Sequence, residues 1–258
     1  MNPAVRTYWS QYKWSNVFAM FSNMKQQVKT YPELLPDKLV VITGATAGVG
    51  YYTVRKYAAM GARILMINRN PEKSERVSRE ITEAYNTEIA YVTADLTSLE
   101  DIQRTGQFLL SLGKKVDVLI HNAGVHLKSR TDTPDGLEVN FVIHYLAPLM
   151  ITRMLIPKFQ QDGAGRVIFV SSEAYRFAVW GLDIDDLQWR RRRYTGIKAY
   201  GAGKLAQILS MHILARELNP YHVTVNAMHP GMVRTESGKD NGRVYQWYKK
   251  HIVDRLSA

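Results

Sequence analysis

Val41-Ile42-Thr43-Gly44-Ala45-Thr46-Ala47-Gly48-Val49-Gly50 is an apolar run that turns through Thr-Gly and passes two more glycines. It opens into Tyr51 to Met60, where Val54, Ala58 and Ala59 recur at helical spacing. The stretch therefore predicts a strand, a glycine turn and a helix. Glycines permit the tight turn, let backbone N–H groups approach a phosphate and bring helix close to strand, while the helix N-terminus adds partial positive charge. A pyrophosphate is the guest such a turn suits. Three glycines at this spacing also fit an ordinary tight turn, so the rest of the chain has to decide.

Downstream, the pattern repeats. Arg63 to Asn68 reads as a second strand, followed by Asn70-Pro71-Glu72, a cap and a proline that start a helix running to Tyr85. An acidic residue at the end of this strand would bond an NAD ribose, whereas a cation accommodates the 2′-phosphate of NADP. The chain has Arg69 there, which argues for NADP(H) over NAD(H), the alternative being a solvated surface charge. Glu88 to Thr93 reads as strand three, then Asp95-Leu96, a helix from Ser98 to Leu112, and a fourth strand, Val116 to Ile120, ending in His121-Asn122-Ala123-Gly124.

A long helix is expected from Thr133-Pro134 toward Pro157. Arg166 to Val170 is strand five with Ser171-Ser172 at its carboxyl end, a pair that by itself also fits a cap or turn. Residues 173 to 197 read as a loop carrying Arg190-Arg191-Arg192-Arg193, which fits either an anionic partner or a solvated face. From Ala199 a helix runs to Asn219-Pro220, and His222 to Met228 is strand six. Alternating strands and helices predict an α/β fold of three layers: a doubly wound, Rossmann-like parallel sheet of order 3-2-1-4-5-6 with ligands at the strands' carboxyl ends.

With 258 residues, 46% hydrophobic and 22% charged, the chain fits one large domain, taken as residues 38 to 258, preceded by an arm over 1 to 37. The absence of cysteine excludes disulfides, thiolate nucleophiles and cysteine-held zinc or iron–sulfur clusters, and no metal is expected. A net charge of +11 attracts polyanions without naming one; because it is dispersed and the arginine run is single, no nucleic acid is expected. No stretch reaches the roughly 18 apolar residues that span a bilayer, and the N-terminus lacks a signal-peptide pattern. In the arm, Val17, Met20, Phe21, Met24 and Val28 share one helical face after Asn16. Residues 16 to 29 thus read as an amphipathic helix for peripheral membrane contact, on a cytoplasmic protein or the cytosolic face of a membrane, or as an arm packed on its own domain or a partner. A homodimer is left open.

Tyr200 and Lys204 lie one helical turn apart. Alone the pair carries nothing, since 15 tyrosines and 34 basic residues in 258 positions give about two such pairs by chance. Its place at the start of an apolar helix soon after the serine strand selects it over Tyr194 and Lys198, which follow four arginines and flank Gly196. A neighbouring ammonium favours phenolate, so Tyr200 could exchange a proton with a carbonyl or alcohol oxygen, and Ser172 could hydrogen-bond that oxygen as charge develops.

Thr43-Gly44-x3-Gly48-Val49-Gly50, Asp95-Leu96, Asn122-Ala123-Gly124, Ser172, Tyr200-x3-Lys204 and His229-Pro230-Gly231, in that order, resemble the short-chain dehydrogenase/reductase family over residues 38 to 236. Asp135-Gly136-Leu137-Glu138, Asp186-Leu187-Gln188 and Ala199-Tyr200-x2-Gly203-Lys204-Leu205-Ala206 look like its retinol dehydrogenase-like branch. The resemblance implies NADP(H) and a small hydrophobic carbonyl or alcohol of the retinoid, steroid or lipid-aldehyde class. It sets Asp95 and Leu96 near the adenine, Asn122 to Gly124 near its ribose, and Pro230, Gly231 and Thr235 near the nicotinamide. Three features depart from the family. His144 replaces the asparagine that fixes a relay water, Gly203 replaces a serine, and with the sequence ending at Ala258 the family's seventh strand is not expected. An imidazole at 144 with an ordinary pKa near 6.5 would close the relay as pH falls through that region; otherwise it packs as a core residue. Two readings stand: an NADP(H)-dependent oxidoreductase using Tyr200, Lys204, Ser172 and His144, or a catalytically weak NADP(H)-binding module for redox sensing or membrane association.

Overall fold

The computed structural model describes residues 33–178 and 181–231. The chain enters strand β1 (Leu39–Thr43), crosses the glycine turn into helix α1 (Gly48–Ala59), and continues through β2 (Arg63–Asn68), α2 (Pro71–Tyr85), β3 (Ile89–Thr93), α3 (Leu99–Leu110) and β4 (Val118–His121). A composite helix α4 follows, made of Val139–Phe141, a π-helical turn Val142–Leu146 and Ala147–Met154. Then come α5 (Ile156–Asp162), β5 (Gly165–Val170), α6 (Gly196–Leu218) and β6 (Val223–Met228). The six strands form one parallel sheet of order β3-β2-β1-β4-β5-β6, as the alternating pattern predicts.

Strands β1, β2 and β4 are buried on both faces, which explains their unbroken rather than alternating hydrophobicity. Val40, Ile42, Ile64 and Met66 pack on one side with Val54 and Ala58 of α1 and Val77 and Ile81 of α2. Val41, Leu65, Leu119, Val167 and Phe169 pack on the other with Ile102, Ile151 and Leu214, from α3, α4 and α6. Central β1 is held between β2 and β4 in register, Val41 opposite both Leu65 and Leu119.

Two helix starts that bear on the site differ from the sequence expectation. Helix α4 starts at Val139 rather than Thr133-Pro134, because residues 132 to 138 close a turn first: Gly136 sits at φ 71°, Asp132 bridges Glu138, and the Glu138 carboxylate caps the amide of Phe141 at 2.7 Å. Helix α6 begins earlier, at Gly196, where the lack of a side chain lets the turn lie against the Leu127 carbonyl. The arm at residues 16 to 29, Thr235 and the rest of 232 to 258, where no seventh strand is expected, lie outside the described residues. Of the residues before β1, Leu35 is described, and its amide donates to the Met60 carbonyl at 2.7 Å.

The carboxyl ends of β1, β2 and β4 are tied by side chains. The Thr43 hydroxyl, 1% exposed, accepts from the amides of Asn122 and Ala123, both at 3.0 Å. The Asn122 side-chain amide donates back to the carbonyls of Thr43 and Gly44 at 3.1 and 2.7 Å, and Asn68 Oδ1 accepts from the Ala45 amide at 2.7 Å. Thr43→Val keeps the shape but strands two inward-facing amides, a loss of about 2 kcal/mol of stability for groups left unpaired on burial. Urea unfolding should show a midpoint shift of that size at constant m-value, and a change below about 0.5 kcal/mol would mean the tie is not what holds these strand ends.

Candidate active site

The carboxyl ends of the strands open into a cavity of about 800 Å³ that runs from the glycine turn to α6. At its first end the backbone comes closer than any side chain would allow. A Cβ on Gly44 would lie 2.7 Å from Ala123 Cα, and one on Gly50 would lie 2.2 Å from the Gly44 carbonyl oxygen. Gly44 and Gly48 also hold positive φ, at 68° and 56°. Helix α1 has no side-chain cap at Ala47 and no acid in its first turn, so its leading N–H groups and the positive end of its dipole face the cavity unopposed. These features fit a bound dinucleotide pyrophosphate.

Thr46, Val49, Arg69, Asp95, Leu96 and Asn122 line the same wall. Arg69 is exposed and makes no ion pair among the described residues. Lys73, one turn into α2, lines the cavity beside it and was missed in the sequence because nothing but the Asn70 cap turns that first helical turn toward the site. Asp95 is fixed within its own turn, its Oδ1 accepting from the Thr97 amide and hydroxyl at 2.9 and 2.8 Å.

At the other end Ser172, Tyr200 and Lys204 meet. Ser172 follows β5 and is a cap as well as a cavity residue: its Oγ accepts from the Ala174 amide at 3.2 Å, which leaves the hydroxyl proton to donate into the cavity. Helix α6 carries Tyr200 and Lys204 close to that loop because its glycines admit neighbouring backbone. A Cβ on Gly201 would lie 2.5 Å from the Ala174 carbonyl oxygen, and one on Gly203 would lie 3.0 Å from that of Asn140. Glycine costs a helix roughly 1 kcal/mol relative to alanine, and close packing offsets the cost here. Lys204 is 3% exposed, its Nζ donates to the Val170 carbonyl at 2.7 Å, and burial lowers its pKa to about 7. The ammonium stands 5.8 Å from the centre of the Tyr200 ring.

Two imidazoles meet the Tyr200 ring edge-on, His126 at 5.2 Å and His144 at 4.9 Å between centroids. Sequence reasoning missed His126, since a lone histidine after the Asn-Ala-Gly loop has no spacing signal. His144 sits within the π-helical turn and is 1% exposed; its Nε2 bonds the Val125 carbonyl at 2.7 Å. Burial, with Lys204 as a second cause, holds this imidazole well below the ordinary histidine range. The expected gate near pH 6.5 is therefore corrected: His144 stays neutral through that range.

Asn140 is tied to Glu138 and Tyr194. Its Nδ2 donates to Glu138 Oε1 at 2.8 Å and to the Tyr194 hydroxyl at 2.9 Å. Tyr194 thus belongs to a buried tie with Glu138, and burial pushes its phenol far up. The arginine run is organised by Asp186, whose carboxylate accepts from the amides of Arg190, Arg191 and Arg192 at 2.7 to 3.2 Å. His229, Pro230 and Gly231 line the cavity; Thr235 lies outside the described residues.

No single helix among the described residues is long and apolar enough to cross a membrane. A short chain dehydrogenase family model matches residues 38–182 and 190–245. Human retinol dehydrogenase 13 is 36% identical over 209 residues, 81% of this chain, and the chain spans 62% of that protein's length. Mouse retinol dehydrogenase 14 is 32% identical over 228 residues, 84% of this chain and 67% of that protein. A metagenomic short-chain oxidoreductase solved in complex with NADP is 28% identical and superposes with a TM-score of 0.63, covering 76% of this chain and 83% of the other. With the glycine turn, the sheet order and the Ser172, Tyr200 and Lys204 cluster in one cavity, this chain belongs to the short-chain dehydrogenase family, in its retinol dehydrogenase-like branch.

Proposed function

We propose that this chain is an NADP(H)-dependent oxidoreductase that moves a hydride between the nicotinamide and a small hydrophobic carbonyl or alcohol of the retinoid, steroid or lipid-aldehyde class. The observation that carries the reading is the convergence of Ser172, Tyr200 and the buried ammonium of Lys204 at one end of a cavity whose other end fits a pyrophosphate. The retinol dehydrogenases among the relatives support the substrate class, and the NADP-bound neighbour supports the cofactor.

When bound, the nicotinamide supplies or takes the hydride. The protein's own part is proton control. Ser172 donates its hydroxyl proton to the substrate oxygen as negative charge grows there, and Tyr200 transfers its phenolic proton to the same oxygen. In the reverse direction the Tyr200 oxygen accepts that proton. Lys204, one turn along and shielded from water, favours the phenolate. Arg69 with Lys73 presents two cations to a 2′-phosphate, which is the basis for preferring NADP(H) over NAD(H).

Membrane contact through residues 16 to 29 on a cytosolic face, and pairing into a homodimer, remain parts of this proposal. A second reading, a catalytically weak NADP(H)-binding module, is favoured by one observation: His144 stands where the family's relay asparagine would be.

Following nicotinamide absorbance with NADPH and a panel of retinoid, steroid and alkyl aldehydes tests the reading, and NADPH binding without turnover on any of them would favour the binding module. Tyr200→Phe should abolish turnover while NADPH affinity changes less than about threefold, because only the proton donor is removed. Arg69→Asp together with Lys73→Glu should weaken NADPH by about 100-fold or more and NADH far less, the loss of two charge-assisted contacts; an unchanged ratio would return both side chains to the solvated surface. Lys204 also makes stability depend on pH. Its folded pKa, about 7, lies below the unfolded value of 10.5, so the unfolded state binds the extra proton between them and stability rises with pH across that window. The cost of burying the charge is fully present below about pH 7 and gone above the unfolded value. Lys204→Met should remove this slope between pH 6.5 and 9 in urea unfolding; parallel curves for the two proteins would mean the ammonium is not desolvated as the geometry implies.

A further inference from the structure

Tyr200 stands on a stretch of helix that is weak by its own composition. Helix α6 opens at Gly196 and then passes Gly201 and Gly203, and glycine is the poorest helix former after proline. Its N-cap, Thr195, makes no side-chain cap hydrogen bond, and no acid stands in its first turn to complement the dipole. The place of Tyr200 is therefore set less by the helix itself than by what its first turns rest on.

One buried side chain supports those turns from two directions. Glu138 is 0% exposed, and both of its carboxylate oxygens accept: Oε2 from the Phe141 amide at 2.7 Å, Oε1 from Asn140 Nδ2 at 2.8 Å and from the Tyr194 hydroxyl at 3.0 Å. Through Tyr194 it holds the chain just before α6 begins, where the phenol ring also meets Trp189 edge-on at 5.8 Å between centroids. Through Phe141 and Asn140 it holds the start of α4. The Asn140 carbonyl oxygen is the atom against which Gly203 lies, 3.0 Å from where a Cβ would be. Tyr200 falls between these two points of support in the sequence.

We propose that Glu138, acting through the Tyr194 hydroxyl, is a positioning residue for the reaction: it sets where the first turns of α6 lie and so the reach of the Tyr200 phenol to the oxygen it serves. The inference rests on the oxidoreductase reading. Neither Glu138 nor Tyr194 lines the cavity, so the effect arrives only through the helix. Lys204 is carried by the same helix and moves with Tyr200. What changes when the tie is cut is the distance from the phenol to a substrate held by the rest of the cavity, and misplacement by about 1 Å costs on the order of a hundredfold in rate.

Tyr194→Phe removes one hydroxyl and keeps the ring against Trp189. In the full chain, with NADPH and whichever panel carbonyl turns over, it should lower kcat by about tenfold or more while KM and NADPH affinity stay within about threefold; Glu138→Gln should lower kcat at least as much. The limbs of the kcat–pH profile should keep their position, because Tyr200 and Lys204 move together, and the solvent deuterium isotope effect on kcat should rise as proton delivery slows. Lys158→Met is the control, since it breaks a buried tie to the Leu112 carbonyl away from the cavity. It should lower the urea midpoint and leave kcat within about twofold. A Tyr194→Phe protein that loses stability but keeps kcat within about twofold, or a loss of kcat shared equally by Lys158→Met, makes the tie structural only and overturns the proposal alone. Fluorine NMR of protein labelled with 3-fluorotyrosine gives a readout without turnover. The Tyr200 resonance, identified as the one missing from Tyr200→Phe, should be displaced or split in Tyr194→Phe and unmoved in Lys158→Met. An unmoved resonance in Tyr194→Phe overturns the proposal. A wild type that turns over no carbonyl overturns the oxidoreductase reading, and the fluorine spectrum then still decides whether the tie sets Tyr200.

Discussion

The hydroxyl of Thr43 accepting two amides from the end of β4 is the contact on which the rest of the site depends. It clamps the carboxyl ends of β1 and β4 together, and the Asn122 side-chain amide donates two more hydrogen bonds across the same seam, to the carbonyls of Thr43 and Gly44. From β2, Asn68 Oδ1 accepts the Ala45 amide. Side chains from three neighbouring strands thereby tie down the path of the glycine turn that leads into the uncapped start of α1. A phosphate-binding turn held this way is preorganised, which lowers the ordering cost of binding.

The opposite end of the cavity is held by close backbone packing instead. Helix α6 is a poor amphipath, buried on much of its circumference, and it gives up helix propensity at Gly201 and Gly203 to lie against the serine loop and the start of α4. That approach puts Lys204 out of water and forces its ammonium onto a main-chain carbonyl. The charge is costly there and useful for the same reason: in a dry site it acts on the neighbouring phenol with little screening. Around it, burial holds the imidazoles of His126 and His144 below the ordinary histidine range, and the Lys204 ammonium stands 5.8 Å from the centre of the Tyr200 ring.

The loop from 182 to 195 shows how a charge run can be a structural device. Its arginine amides wrap the Asp186 carboxylate, Arg192 lies over Trp189 at 3.9 Å, and Glu138 anchors Tyr194 and Asn140 beneath. This builds one wall beside α6 out of residues that, read in one dimension, resemble a patch for binding a polyanion.

The sheet order, the glycine turn and the pairing of Tyr200 with Lys204 were legible in the sequence because each depends on local chemistry: apolar runs of strand length, glycines at turn spacing, and two residues one helical turn apart. Most strand limits came within two residues for the same reason. The start of α4 was misplaced because Thr133-Pro134 is a sound local cap, and only the pairing of Asp132 with Glu138 across Gly136 shows that the chain closes a turn before the helix. Gly203 read as a weakness in one dimension and is a packing contact in three, since nothing local reveals that the Asn140 carbonyl lies against it. The state of His144 was likewise beyond the sequence. Residue type gave an imidazole with an ordinary pKa, whereas its tautomer and its neutrality are set by the Val125 carbonyl, by Lys204 and by burial, groups brought together only when α4, α6 and the loop after β4 close on one another.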